Sequence, residues 1–225
     1  MNFVIASHHL WNEKSYFDLV EKNSQHRFYL ITNKKELNYT FLKKINPKFI
    51  FFPHWSFIIP KKIINNFDCV CFHMTDLPYG RGGSPLQNLI IRNHTSTKIS
   101  ALKMTSKIDA GPIYLKRKLS LNGNAEEIYK RAFVAIFKMI DILISKEILP
   151  KPQSGKVTKF KRRLPAESEI NKINSIEELY NFIRMLDAPN YPHAFFTNNG
   201  YIFELTDAKI DNEDLTAKVK INKIK

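Results

Sequence analysis

Phe72-His73-Met74-Thr75-Asp76-Leu77-Pro78-Tyr79-Gly80-Arg81-Gly82-Gly83-Ser84-Pro85 is the stretch on which the reading of this chain turns. It continues Asp68-Cys69-Val70-Cys71, an apolar run of the length of one buried strand. A histidine therefore ends a strand, and a loop rich in proline and glycine, where backbone can come close to a ligand, follows it. Further along, Lys107-Ile108-Asp109-Ala110-Gly111-Pro112 offers a carboxylate from a second turn. Histidine is the side chain best suited to moving a proton near neutral pH, and a nearby carboxylate can orient it. A lone histidine is most often a surface or core residue. A histidine at a strand end, before such a loop and with Asp109 in reach, has the layout of an acid/base site.

Working outward, residues 2–6, 28–31 and 49–52 read as further short apolar strands, with helices over 13–22 and 34–45 and another after Pro60. Strands without polar alternation, alternating with helices, predict a parallel sheet covered on both faces. Ser84-Pro85 reads as the cap and first residue of a helix over 85–93. Residues 97–105 and 113–121 read as strands joined through the Asp109 turn. Asn124 and Glu127 form a reciprocal capping pattern ahead of a helix in which Ile128, Phe133, Ile136, Phe137, Ile140 and Ile144 recur at helical spacing.

After Pro150 the chain passes through Lys-Pro-Gln-Ser-Gly, which reads as a connector, into the basic cluster Lys159-Phe160-Lys161-Arg162-Arg163. Ser175 and Glu178 repeat the capping pattern before a helix to 187. Strands at 194–197, 201–205 and 216–222 surround an Asn198-Asn199-Gly200 turn. The expected fold is α/β: a doubly wound, mostly parallel sheet with a small α+β appendage at the carboxyl end. The expected division is residues 1–150 as the catalytic domain and 151–225 as a small subdomain. A chain of 225 residues buries one substantial core and little more.

A hydrophobic fraction of 44% excludes a disordered chain. No apolar run is long enough to cross a bilayer and no secretory leader is legible, so a cytoplasmic location is expected. Cys69 and Cys71 share a strand face without the spacing for a disulfide. Cys-x-Cys-x-His lacks the second ligand pair of a structural zinc site, so no metal is expected. The net charge of +14 invites nucleic acid, but most lysines are scattered, and a solvated basic surface is the simpler account.

His73, Leu77-Pro78, Arg81-Gly82-Gly83-Ser84-Pro85 and Ile108-Asp109-Ala110-Gly111 resemble the signature of the N10-formyltetrahydrofolate-dependent formyltransferases. That signature runs Asn-x-His, x-Ser-x-Leu-Pro, Arg-Gly-x-x-Pro and Leu-Asp-x-Gly. The tail, with Lys161-Arg162-Arg163-Leu164-Pro165, Tyr180-Asn181-Phe182-Ile183-Arg184 and Tyr191-Pro192-His193-Ala194-Phe195, is most similar to members that formylate amino sugars attached to nucleotides. The resemblance implies a shortened Rossmann-type core, with His73 as general acid/base and Asp109 as its charge partner. Trp55, Ser56, Phe57, Gly83, Thr105, Ser106, Lys107, Ile108 and Asp109 would line the folate site.

The implied partners are the folate co-substrate and a nucleotide-linked amino sugar. Nucleic acid is not expected, and the aromatic tail strands could pair two copies, although packing within the monomer is the expected use of those side chains. A methionyl-tRNA formyltransferase is the alternative, set second because the tail looks short for such an enzyme. A glycinamide ribonucleotide formyltransferase and a non-catalytic binding protein of the same fold stand behind it. One departure stands out: the signature asparagine is replaced by Cys71. A thiol is a weak donor where an oxyanion calls for an amide, and His54 and Asn88 are the nearest polar replacements by motif position.

Overall fold

Strand and helix alternate through the amino-terminal part of the computed structural model, which describes residues 1–224. In order come β1 (Asn2–Ser7), α1 (Glu13–Lys22), β2 (Arg27–Ile31), α2 (Tyr39–Ile45), β3 (Phe49–His54), α3 (Lys61–Asn66) and β4 (Cys69–His73). The short β5 (Arg81–Gly82), α4 (Pro85–Ile90), β6 (Ser96–Lys103), β7 (Ile113–Ser120), the long α5 (Ala125–Ser145) and β8 (Lys159–Phe160) follow. The chain ends in α6 (Ile176–Arg184), β9 (Ala194–Asn198), β10 (Tyr201–Asp211) and β11 (Asp214–Lys223). Residues 1–82, 97–119 and 130–159 make one compact unit; residues 83–96, 120–129 and those from 160 on make a second.

The first unit holds a six-stranded sheet in the order β2-β1-β3-β4-β6-β7. β1 runs parallel to β2 and β3, and β3 to β4, while β6 is antiparallel to β4. The sheet is thus mostly parallel, as its unalternating apolar strands require. Val4, Ala6, Ile50, Phe52 and Cys69 pack on one side with Ile31, Leu37, Leu42, Ile59 and Ile63. Phe3, Ile5, Phe51 and Val70, of opposite parity, are also fully buried. Each such side chain contributes about 1.5–3 kcal/mol by leaving water. The strand order reverses between β1 and β3, and in open α/β sheets ligands bind beyond the carboxyl ends of the strands at such a point.

Three helices are shorter than the sequence suggests, among them α6, which ends at Arg184 rather than 187. α2 starts at Tyr39 rather than 34, because the Asn38 side chain accepts from Phe41 N at 2.8 Å and caps it there. α4 ends at Ile90 rather than 93, with Asn93 in the left-handed region at φ 59°. Ser84 stands at the N-cap of α4 with Pro85 at its first position, as its sequence position suggests, but at φ 48° its side chain makes no cap and its Oγ instead accepts from Arg163 N at 3.1 Å.

In the second unit β9, β10 and β11 form an antiparallel sheet in the order β11-β10-β9. Asn199 and Gly200, at φ 46° and 79°, make the two-residue turn between β9 and β10, the geometry that asparagine followed by glycine favours. The capping pair ahead of α5 also forms, Asn124 N donating to Glu127 Oε2 and Glu127 N to Asn124 Oδ1, each at 3.0 Å.

Candidate active site

His73 closes β4 and is buried, with 8% of its surface exposed. Its Nε2 lies 2.7 Å from the Gly80 carbonyl oxygen. A carbonyl only accepts, so Nε2 carries the proton and Nδ1 is the nitrogen turned toward Asp109, with 3.6 Å to Oδ2. That distance is an electrostatic approach rather than a hydrogen bond. The same Oδ2 accepts from Gly82 N at 2.9 Å. The loop after β4 thus grips both members of the pair, one through a carbonyl and the other through an amide.

The loop is itself tied down. Ser100 Oγ donates to Thr75 O at 2.7 Å and accepts from Leu77 N at 3.3 Å, and Gly80 N donates to Thr158 Oγ1 at 2.7 Å. Leu77-Pro78 is a cis peptide bond, and Gly80 has φ 72°. Lys98 pairs with Asp76 at 2.9 Å, and Lys116 bonds both Asp76 Oδ1 and the Leu77 carbonyl.

Asp109 sits at φ 50° in a turn that Gln153 staples. Gln153 Nε2 donates to the carbonyls of Asp109 and Gly111 at 2.8 Å each, while its Oε1 accepts from Arg81 Nε at 3.1 Å and Nη2 at 2.8 Å. Sequence reading took Gln153 for part of a connector. Its partners lie 42 to 72 residues away, so no local pattern marks it. Gly111 is required, since a Cβ there would fall 1.7 Å from the Lys103 carbonyl oxygen.

The residues expected to hold folate divide. Trp55 packs against the core with Phe52 and Phe57 rings at 5.9 and 5.5 Å, and its buried Nε1 has no hydrogen-bond partner. Ser56 and Phe57 are exposed beside it. Thr105, Ser106, Lys107 and Ile108 form an exposed loop leading to Asp109, held by Thr105 Oγ1 donating to Lys107 O at 3.1 Å. Gly83 belongs to the second unit, where a Cβ would meet Arg162 Cβ at 2.4 Å. That close approach accounts for the glycine without any ligand.

His54, at the end of β3, stands among aromatic rings: His8 at 4.8 Å and Trp11 at 5.8 Å between centroids. Burial, with His8 and His9 adding to it, pushes its pKa down to about 3. Burial likewise pushes the Cys69 thiol up to about 12, and the Cys71 thiol is raised by burial and then by the nearby Asp109 charge. Asn88, the other polar residue proposed in place of the signature asparagine, is committed to structure. Its Nδ2 donates to the carbonyls of Gly83, Ser84 and Lys161 at 3.2, 3.0 and 3.1 Å, and its Oδ1 accepts from Arg92 at 2.9 Å.

Residues 165–222 match the family described as methionyl-tRNA formyltransferase, C-terminal domain. The whole chain is similar to the methionyl-tRNA formyltransferase from Clostridium thermocellum, with 48% identity, a TM-score of 0.96 and 99% of each chain covered. This chain belongs to the formyltransferase family. The family uses N10-formyltetrahydrofolate as its formyl donor. The formyltransferase chain is also 30% identical over 151 residues to the methionyl-tRNA formyltransferase of Thermodesulfovibrio yellowstonii, covering 64% of this chain and 49% of that relative. It spans about half the length of that curated relative. The sugar N-formyltransferase from Shewanella sp FDAARGOS_354 shares its fold at a TM-score of 0.70 but only 15% identity, over 97% of this chain and 96% of that one.

These similarities overturn the nucleotide-linked amino sugar as acceptor, and with it the expectation that no nucleic acid is involved. The relatives at 30% identity and above are named for methionyl-tRNA. The motifs misled because they describe the shared transfer chemistry and not the acceptor. The tail judged too short for such an enzyme is itself the segment matched by the C-terminal domain family.

Among the described residues no helix is long and apolar enough to cross a membrane.

Proposed function

We propose that this chain transfers a formyl group from N10-formyltetrahydrofolate to the amino group of methionyl-tRNA, in the cytoplasm. The 48% identity over 99% of both chains to the Clostridium thermocellum methionyl-tRNA formyltransferase carries this reading. The net charge of +14 agrees with a polyanionic acceptor, since Lys and Arg gain by releasing counterions from phosphates. Residues 1–150 would perform the transfer. Residues 151–225, with the cluster Lys159, Lys161, Arg162 and Arg163, would form the carboxy-terminal part.

His73 is the general acid/base of this proposal and Asp109 the carboxylate that orients it. In formyl transfer the acceptor nitrogen bonds to the formyl carbon, the bond from that carbon to N10 breaks, and the proton lost by the amine ends on N10. His73 Nδ1 is the nitrogen placed for that relay, because Nε2 is held by the Gly80 carbonyl. For the folate, Trp55 offers a buried indole N–H without a partner beside the exposed ring of Phe57, which suits a flat heterocycle carrying acceptor atoms. Thr105 to Ile108 would border it.

The test is a comparison of acceptors at fixed N10-formyltetrahydrofolate: methionyl-tRNA, an amino-sugar nucleotide and glycinamide ribonucleotide. Formylmethionyl-tRNA as the main product is expected. Preferential formylation of either small acceptor would overturn the proposal.

A further inference from the structure

Thr158 lies between α5 and β8, just past the connector Lys-Pro-Gln-Ser-Gly, and it grips the loop after β4 at three points. Its N donates to Pro78 O at 3.3 Å, its Oγ1 accepts from Gly80 N at 2.7 Å, and its carbonyl accepts from Arg81 N at 3.0 Å. The same stretch of chain holds the opposite partner of the site, since Gln153 Nε2 donates to the Asp109 carbonyl at 2.8 Å.

Gly80 stands at φ 72°, and glycine has no side chain to resist rotation of the peptides on either side of it. Thr158 fixes both. Its hydroxyl takes the N–H of the peptide before Gly80, and its carbonyl takes the N–H of the peptide after it. A trans peptide sets its N–H and C=O on opposite sides of one plane, so holding Arg81 N at Thr158 aims the Gly80 carbonyl the other way. That carbonyl meets His73 Nε2 at 2.7 Å. A neutral imidazole has a single proton and here two acceptors that could take it: Gly80 O at Nε2, and Asp109 Oδ2 at 3.6 Å from Nδ1. The hydrogen bond to Gly80 outweighs the longer approach to Asp109, and it lasts only while the Gly80 carbonyl keeps its aim.

We infer that Thr158 is a positioning residue for formyl transfer: by fixing the peptides about Gly80 it keeps the proton of neutral His73 on Nε2 and leaves the Nδ1 lone pair to serve as the base. The inference rests on the formyl-transfer reading above. As the bond between amine nitrogen and formyl carbon forms, the amine proton passes to Nδ1; as the bond from carbon to N10 breaks, that proton leaves Nδ1 for N10. The imidazolium between the two steps has Nε2–H on Gly80 and Nδ1–H facing the Asp109 carboxylate, so the proton is held where it must next be given up. With the other tautomer, Nδ1 would already carry a proton and could accept none from the amine.

Kinetics and one spectrum test this. Thr158→Val keeps the side-chain shape and removes the hydroxyl; it should lower kcat by about 10- to 100-fold, the scale of loss when a reacting group is slightly misplaced, with KM for the folate donor and for methionyl-tRNA little changed. Thr158→Ser, which keeps the hydroxyl, should retain most of the unaltered rate. Thr158→Ala serves as a second hydroxyl-free variant should valine crowd the site, and thermal midpoints identify any protein that fails to fold. Separately, with no substrate present, 15N spectra of histidine-labelled protein report the tautomer, the His73 signals being those lost in His73→Asn. Neutral His73 should have its unprotonated nitrogen at Nδ1 in the unaltered protein, and part of the population should move to the form unprotonated at Nε2 in Thr158→Val. Full kcat in a folded hydroxyl-free variant, or a tautomer that does not shift, would overturn the inference. So would a slow Thr158→Ser enzyme, or loss of folding in both hydroxyl-free variants, which would make Thr158 a residue of the fold alone. If the unaltered protein formylates no acceptor, the functional reading fails, and the 15N spectrum still reports on Thr158.

Discussion

His73 Nδ1 stands 3.6 Å from Asp109 Oδ2, and that oxygen is fixed by Gly82 N at 2.9 Å. The carboxylate is therefore placed by backbone of the loop that follows the histidine, so pair and loop form one arrangement. Asp109→Asn tests it cleanly, because asparagine tolerates the left-handed backbone at φ 50° better than other residues do. Turnover should fall at least about tenfold, with the thermal midpoint nearly unchanged, since the charge is lost and the turn is kept. A large fall in midpoint with normal turnover would reduce Asp109 to a turn residue.

Gln153 joins the Asp109 turn to Arg81 through four hydrogen bonds. Gln153→Ala should cost about 1–3 kcal/mol by leaving partly buried carbonyls unpaired, and should slow turnover by loosening Asp109. Urea unfolding alongside steady-state kinetics checks both effects. Unchanged stability would mean that water replaces the side chain without loss.

Histidine burial sets an acid limit. The folded pKa of His54 is lowered to about 3 while the unfolded chain titrates near 6.5. The unfolded state therefore binds the proton first as pH falls. His54 contributes no destabilisation above about pH 6.5 and costs stability progressively between there and about 3. The thermal midpoint of the unaltered protein should drop from pH 7.5 to pH 5.5 more steeply than that of His54→Gln. Parallel curves would contradict this.

The cysteines set an alkaline limit by the same linkage. The Cys69 thiol is pushed to about 12 from an ordinary value of 9.0, so its contribution is full below about 9 and fades as pH rises toward 12. In native protein near pH 8 both Cys69 and Cys71 should resist iodoacetamide and react only after unfolding. Rapid native alkylation of Cys71, read by mass spectrometry, would mark it as an activated thiol. Cys71→Ala should weaken folding and leave transfer largely intact.

Much of the fold was legible because its signals are local. Unbroken apolar runs marked β1 to β4, Asn199-Gly200 marked its turn, and Asn124 with Glu127 marked the start of α5. His73 and Asp109 could be paired because loop chemistry and family signature agreed. What escaped depends on distant partners. Ser84 sits ahead of Pro85 as a helix cap should, yet Arg163 N takes its hydroxyl. Gln153 has no sequence neighbour among its partners. The acceptor was misread because the motifs of the loop after β4 and of the Asp109 turn point to transfer chemistry in general and carry no signal for the acceptor.

The most direct measurement is single-turnover formylation of methionyl-tRNA by the unaltered protein and by His73→Asn, at saturating N10-formyltetrahydrofolate. The unaltered protein should yield formylmethionyl-tRNA and the variant should be slower by about 10²–10⁴, with folate binding retained. Equal rates, or no formylmethionyl-tRNA from folded and folate-bound unaltered protein, would contradict the account.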